Sequence, residues 1–337
     1  MFLFITVDAE AVHGSDPMNQ MMWGKLQGFS GEYGVGLICD ICEKYNYRAT
    51  FFLDVYEHAY YGISALSSVA KYLSDRGHDV QLHTHPAWYK DSRDSLEIQD
   101  MKKRGSCFNS EKYWMNMNSL EEQIEIIRYG KELLQDWIKK PVIAHRAGAY
   151  AINDDTITAL KENGIFIDSS MFFNHKHCKI SYNINQPIEK DGMLEIPVTV
   201  FESNTSLEFL GIKFPWKTMY RKTDINDCSE SELRSFAEQG NANNLGVLNL
   251  FLHSYSFVKF NYNFTRFSPN SYAIETFQKI LEYASKKEEF HNIGFDQIDQ
   301  KDNKQQLLKY QYDFIPKQNY IIDVKSKLKR YINNRIN

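Results

Sequence analysis

Short apolar runs recur along this chain, and each stops abruptly at polar or charged side chains. Residues 2–7 are almost wholly apolar and lead into Asp8 and Glu10. The stretch 48–54, RATFFLD, ends in Asp54, and 79–82 runs into His83-Thr84-His85. Residues 141–145 lead to Arg146, 165–167 to Asp168, and 246–252 to His253. The run 194–200 carries Pro197, so an irregular strand is expected there. Runs of this length without a clear polar face predict strands covered on both sides. Helical patterns fall between them. They cover 34–45, then 64–77 closed by Gly77, and 154–163 stopped by Gly164, with a last helix over 271–287. Ser119 and Glu122 have the spacing of a capping box and open a long helix to about Trp137.

Strands alternating with helices indicate an α/β fold with a parallel sheet covered by helices. The polar candidates gather where the strands end. That edge carries function in a βα barrel and equally in an open doubly wound sheet, and periodicity does not separate the two. Segments 11–33 and 88–118 are too long for simple connectors and lie beside the strand ends, where insertions serve a site. Residues 1–300 read as one unit. From 301 the chain turns rich in Lys, Gln, Asn and Tyr, and 301–337 reads as an extension packed on the unit or trailing from it. Its end, DVKSKLKRYINNRIN, is basic. A terminal helix or tail is the first reading, and peripheral contact with an anionic lipid or lipid-linked substrate is the second.

With 337 residues, 43% of them hydrophobic, the chain can bury one large core. A formal charge of -4 gives no field to hold nucleic acid. No apolar run approaches the roughly 18 residues of a membrane span. The first residues lack the basic start of an export signal, so a soluble cytoplasmic protein is expected. Five scattered cysteines argue against a disulfide framework. Cys39 and Cys42 have CxxC spacing but sit in an amphipathic segment, which predicts buried thiols.

Two residues apart on an extended chain, Asp8 and Glu10 point to the same side, and so do His83 and His85. Imidazole and carboxylate together suit a divalent metal such as zinc with one position left for water. Glu10, His83 and His85 are the candidate ligands, and Asp8 is the candidate base. Arg146 follows a buried strand and needs a partner, for which Asp8 is the natural choice. Asp168 could orient a histidine or the arginine, or cap the turn at Ser169. His253 is placed to act as a general acid. His78 reads as structural.

These stretches resemble the polysaccharide deacetylase family, the NodB-homology domain. TVDAE resembles its first motif, with Asp8 as base and Glu10 as metal carboxylate. RGHDVQLHTHPAW resembles the second, with His83 as the first metal histidine. Arg146 to Tyr150 resembles the third, Asp168 falls where the family has a supporting aspartate, and Leu252-His253 resembles the last motif. LEIPVT at 194–199 looks like the strand beside the substrate. The resemblance spans roughly 1–295. There are three departures. The usual second histidine lies four residues after the first, where this chain has Ala87, and His85 comes only two on. Glu10 replaces the commoner aspartate, and Gly148 stands where proline is frequent.

The resemblance implies an irregular, seven-stranded (β/α) barrel. It implies metal-dependent removal of an N-acetyl group from a sugar or a surface-polysaccharide intermediate. Trp88, Tyr150 and their neighbours Tyr89, Tyr113 and Trp114 could form a sugar platform, with core packing as the alternative for each. Other readings of the same residues are a hydrolase of small non-peptide C–N substrates and a silent carbohydrate-binding barrel. A glycosidase would need two opposed carboxylates and would leave the histidines unexplained.

Overall fold

A computed structural model describes residues 1–11, 17–89, 113–205, 208–209, 212–213, 217–261, 264–300, 302–309, 313–319 and 322. Most of the 88–118 segment, Cys107 and the basic stretch 323–337 lie outside the described residues, as do the expectations attached to them.

The first strand, β1 (Phe2–Ala9), is buried along its whole length. Its alternate residues serve two cores. Leu3, Ile5, Val7 and Ala9 pack on the helix-covered side, and Phe2 and Phe4 point into the barrel. The sheet continues through β2 (Thr50–Asp54), β3 (Asp79–Thr84), β4 (Ala144–Ala147) and β5 (Ile167–Asp168). Then come β6 (Ile188–Lys190) and β7 (Met193–Glu195). Two ribbons pair off the sheet, β8 (Val200–Thr205) with the later β11, and β9 (Glu208–Phe209) with β10 (Ile212–Lys213). After β11 (Lys217–Lys222) the chain enters β12 (Val247–His253). A hairpin, β13 (Val258–Phe260) and β14 (Phe267–Pro269), and the short β15 (His291–Asn292) complete the strands.

The order β12-β1-β2-β3-β4-β5-β7-β6 makes a curled, open sheet, with β15 pairing the start of β1. The strands from β12 to β7 are mutually parallel, and β6 alone runs antiparallel to its neighbour. Seven parallel strands therefore form the irregular barrel that the motifs implied. The ladder does not close. The expected strand 194–200 stops at Glu195, ahead of Pro197, and the chain resumes at Val200 as part of a separate ribbon. Side chains span the gap instead. The Gly246 N–H donates to Gln186 Oε1 at 2.9 Å, and the Asn249 N–H donates to Thr199 Oγ1 at 2.9 Å.

The bottom of the barrel is stoppered. Phe295, Ile298 and Leu307 pack among Phe2, Phe4, Phe52, Ile167, Leu194 and Val247, all buried. The Phe295 ring lies 4.9 Å from Phe4 and 5.2 Å from Phe52. Each buried phenylalanine contributes about 1.5–3 kcal/mol. Asp79 anchors the stopper by accepting the Phe295 N–H at 2.9 Å. Entry to the interior is thus from the opposite end, where the strands terminate in polar residues.

Helices Val35–Lys44, Ile63–Asp75, Leu120–Ile138, Asp154–Glu162 and Ser271–Ser285 occupy the stretches that the periodicity marks. The Ser119–Glu122 capping box is formed, with the Glu122 N–H donating to Ser119 Oγ and the Ser119 N–H to Glu122 Oε2. Cys39 and Cys42 are buried in the first helix. A further long helix, Glu230–Ala242, has no counterpart in the sequence pattern above, although a Ser229–Glu232 capping box announces it. Part of the 11–33 segment is also ordered, as a wide helical turn over Pro17–Trp23 held by the buried Met21 and Met22. Among the described residues no helix is long and apolar enough to cross a membrane.

Candidate metal centre

Parallel register carries side chains from distant segments to one edge. β1 and β12 pair Asp8 with His253, β2 and β3 pair Asp54 with His83, and β3 and β4 pair His83 with Arg146. Glu10 stands among the imidazoles just beyond β1. Its Oε2 lies 2.6 Å from His85 Nε2 and 3.3 Å from His83 Nε2. Its Oε1 faces His253 Nε2 at 3.6 Å. The donor atoms of Glu10, His83 and His85 all lie within 4.8 Å of one another. The His83 side chain is 1% exposed and that of His253 is 23% exposed, so the site opens on the His253 side.

The donor set fits a divalent ion. His83 Nδ1 lies 2.8 Å from the Arg146 carbonyl, which can only accept, so Nδ1 carries the hydrogen and the Nε2 lone pair faces Glu10. Burial alone would raise the Glu10 carboxyl, but the His85 and His83 imidazoles outweigh it and hold the pKa well below the usual range. Burial likewise disfavours a charged His83, yet the Asp8 and Glu10 carboxylates win and raise it. An anionic oxygen and two imidazole nitrogens, mutually close and shielded from water, are the ligand types that zinc-like ions take. The identity of the ion does not follow from them.

Asp8 stands beside this cluster and is held by Arg146, as expected. Arg146 Nη1 donates to Asp8 Oδ1 at 2.8 Å. The guanidinium is fully buried, lying 4.3 Å from the Phe52 ring centroid and 5.4 Å from that of Phe251. Its other donors reach Ser169, with Nε on the carbonyl at 3.0 Å and Nη2 on Oγ at 2.9 Å.

Asp168 does not join this group. It faces the other side of the sheet and accepts from His145 Nδ1 at 2.6 Å, while His145 Nε2 meets Thr84 Oγ1 at 2.9 Å. The contact to the arginine is made by Ser169 instead. Asp168 thus orients a histidine, but one behind the strands. Glu195 shares that buried space, and burial and the Asp168 carboxylate push its pKa well above the usual 4.5. A carboxyl raised by folding keeps its proton in the native state after the unfolded chain has lost it, so it lowers stability as pH rises from about its unfolded value. Glu195 therefore contributes less to urea stability at pH 8 than at pH 5.5, beside the slopes added by Asp54, raised to about 8, and by the lowered His253. Glu195→Gln should take away its share of the slope and stabilise the protein at pH 8. An unchanged slope would remove Glu195 as its source.

Lys222 and Asp224 at the site were not anticipated. Lys222 Nζ donates to Tyr150 Oη at 3.0 Å, pairs with Asp224 at 3.3 Å and lies over the Phe251 ring. Burial works against its charge, but Tyr150 and Asp224 outweigh burial and raise its pKa. His253 is lowered, first by burial and then by Lys222. Asp54 is pushed to about 8 by burial and by Glu10. The Lys222 segment carries no periodic signal, so nothing in the chain marks it.

The aromatic expectations divide. Tyr150 lines the interior with Phe251, ring centroids 6.2 Å apart. Tyr113 lies 6.2 Å from His85, and Trp114 sits edge-on to Tyr113 at 4.2 Å and tilted against His177 at 5.2 Å. Trp88 and Tyr89 take the core alternative. Both are buried on the helix side, against Tyr60 and Tyr61 and against Tyr56 and Tyr129 respectively, because the turn after His85 directs them outward.

No protein-family model matches the chain, and no curated protein sequence matches it. Among solved structures it is similar to a candidate polysaccharide deacetylase from Mycobacterium smegmatis, with a TM-score of 0.53, 15% identity and 94% of each chain covered. A peptidoglycan deacetylase of Bacillus subtilis aligns at TM-score 0.41 and 12% identity, over 90% of this chain and 92% of that one. A CE4 family pseudoenzyme of Bacillus anthracis aligns at 0.42 and 12%, over 87% and 63%. The first likeness is one of fold: the chain has a polysaccharide-deacetylase-type barrel with a Glu-His-His cluster at its open end.

Proposed function

We propose that this polysaccharide-deacetylase-type barrel is a metal-dependent hydrolase of non-peptide C–N bonds that removes an N-acyl group, acetyl in the first instance, from a sugar. The observation that carries the reading is the gathering of Asp8, Glu10, His83, His85 and His253 at one strand edge, with Glu10 between the histidines. A divalent ion held by Glu10, His83 and His85 would polarise an acyl carbonyl and acidify water.

The chain's own groups supply the proton transfers. Arg146 occupies Asp8 Oδ1, which orients the carboxylate and leaves Oδ2 to accept the proton of the attacking water. His253, in register with Asp8 on the adjacent strand, gives a proton to the departing nitrogen. Burial and Lys222 favour neutral His253, so the proton it gives is the one Asp8 has taken from water, passed on before the nitrogen leaves, and both groups end the turnover as they began. Tyr113, Trp114 and Tyr150 offer rings on which a sugar can stack.

The test is released acetate from zinc- or cobalt-loaded protein. Its arms are N-acetylated nucleotide sugars, lipid-linked glycans and finished polymer. Acetate from any of these, abolished by a chelator and restored by metal, is the expected result. Activity on polymer alone would dismiss the expected intracellular intermediate. No acetate from any N-acetylated sugar would overturn the sugar assignment.

A further inference from the structure

His85 and Gly148 belong to different strand ends, yet they touch. A Cβ built on Gly148 would stand 2.5 Å from each nitrogen of the His85 ring and closer still to Cε1, where real Cβ atoms essentially never come within 3.0 Å. The ring cannot easily yield. Its Nε2 is 2.6 Å from Glu10, its edge meets His83 with centroids 4.9 Å apart, and its own carbonyl accepts the Trp88 N–H. The backbone at 148 does not itself call for glycine. The left-handed conformations of this turn fall on Ala149 (φ 50°) and Tyr150 (φ 59°), and Gly148 is not among the positive-φ residues. What position 148 requires is the absence of a side chain, and His85 requires it.

We propose that Gly148 is a positioning residue whose bare Cα seats the His85 imidazole, and that this seat allows a histidine only two residues after His83 to be the second imidazole of the cluster. Ala87, four residues after His83, is buried and has no donor atom to offer. Two of the chain's departures from the motif, the shifted histidine and the glycine, are thus one compensated change joined by direct contact. The inference rests on the reading of Glu10, His83 and His85 as a metal centre.

Zinc affinity, measured by competition with a chromophoric chelator, and cobalt absorption would be compared in the full chain and in Gly148→Ala, His85→Ala and the double variant. Unfolding midpoints would be taken in excess chelator. Gly148→Ala is expected to weaken zinc roughly 10–100-fold, as displacement of a ligand's support does. The double variant should bind no more weakly than His85→Ala. In chelator, Gly148→Ala should lower the midpoint, and deleting the ring should return it to that of His85→Ala. If Gly148→Ala alone does not fold, recovery of folding in the double variant supports the seat and persistent misfolding overturns it. Native zinc affinity in Gly148→Ala, or additive losses in the double variant, would overturn the seat while leaving the hydrolase reading standing. A wild-type chain that binds neither ion would remove both.

Discussion

Asp8→Asn is expected to lower turnover by about 10²–10⁴-fold, the usual contribution of a positioned general base, equivalent to roughly 3–5 kcal/mol of barrel-borne transition-state stabilisation. Asparagine keeps the shape and offers an oxygen to Arg146 Nη1, so the fold and the buried guanidinium retain their contact. It has no lone pair basic enough to take a proton from water. Zinc affinity should change little, since Asp8 is not one of the clustered donors. The pairing of outcomes is diagnostic. Lost turnover with retained metal places Asp8 in proton transfer. Lost metal would make it a ligand, and turnover within a few-fold of wild type would end the proposed role. Steady-state acetate release and chelator competition on the same preparation measure both.

Arg146→Leu should cost about 3–5 kcal/mol of folding stability, the penalty for leaving a buried charge without its partner. Arg146 is 0% exposed and Asp8 is 5% exposed, so water cannot replace the lost pairing. The leucine also abandons the Ser169 carbonyl and hydroxyl and the face of Phe52. Urea unfolding gives the loss directly. The double variant Asp8→Leu/Arg146→Leu should recover part of it, because both charges are gone. A single variant within 1 kcal/mol of wild type, or a double variant less stable than the single, would show that the pair is not what holds this end of the barrel together.

Legibility followed local geometry. The side shared by Asp8 and Glu10, and that shared by His83 and His85, could be read because alternate residues of an extended chain must agree. Seven strands were readable as short apolar runs, and five helices from their own period, caps and stops. The inward face of a short strand was not. β5 has two residues, Ile167 and Asp168, and emerges from a turn, so no run of neighbours sets its parity and Asp168 could not be placed behind the sheet. The choice between platform and core stayed open for Trp88 because the chain turns immediately after His85, where strand alternation ceases. The Lys222–Asp224 pair follows a ribbon that leaves the sheet, and the contact of Gly148 with His85 joins two loops. Such meetings are made by tertiary packing and leave no trace in spacing. The helix Glu230–Ala242 is a different case. Its Leu233, Phe236, Ala237 and Gly240 carry a helical period that the sequence displays openly.

β1 has a consequence for synthesis as well as for chemistry. It sits inside the sheet, with β12 on one flank, and its Phe2 and Phe4 face Phe295 and Leu307. Roughly 240 residues separate β1 from β12, so at ordinary ribosomal rates the nascent first strand waits about 12–50 s for its neighbour. During that interval β2 can cover one flank of this apolar ribbon while the other stands outside the tunnel without its neighbour, a natural client for a holding chaperone. Heating or overproduction should lead to loss by clumping of newborn chains well before the finished barrel itself melts.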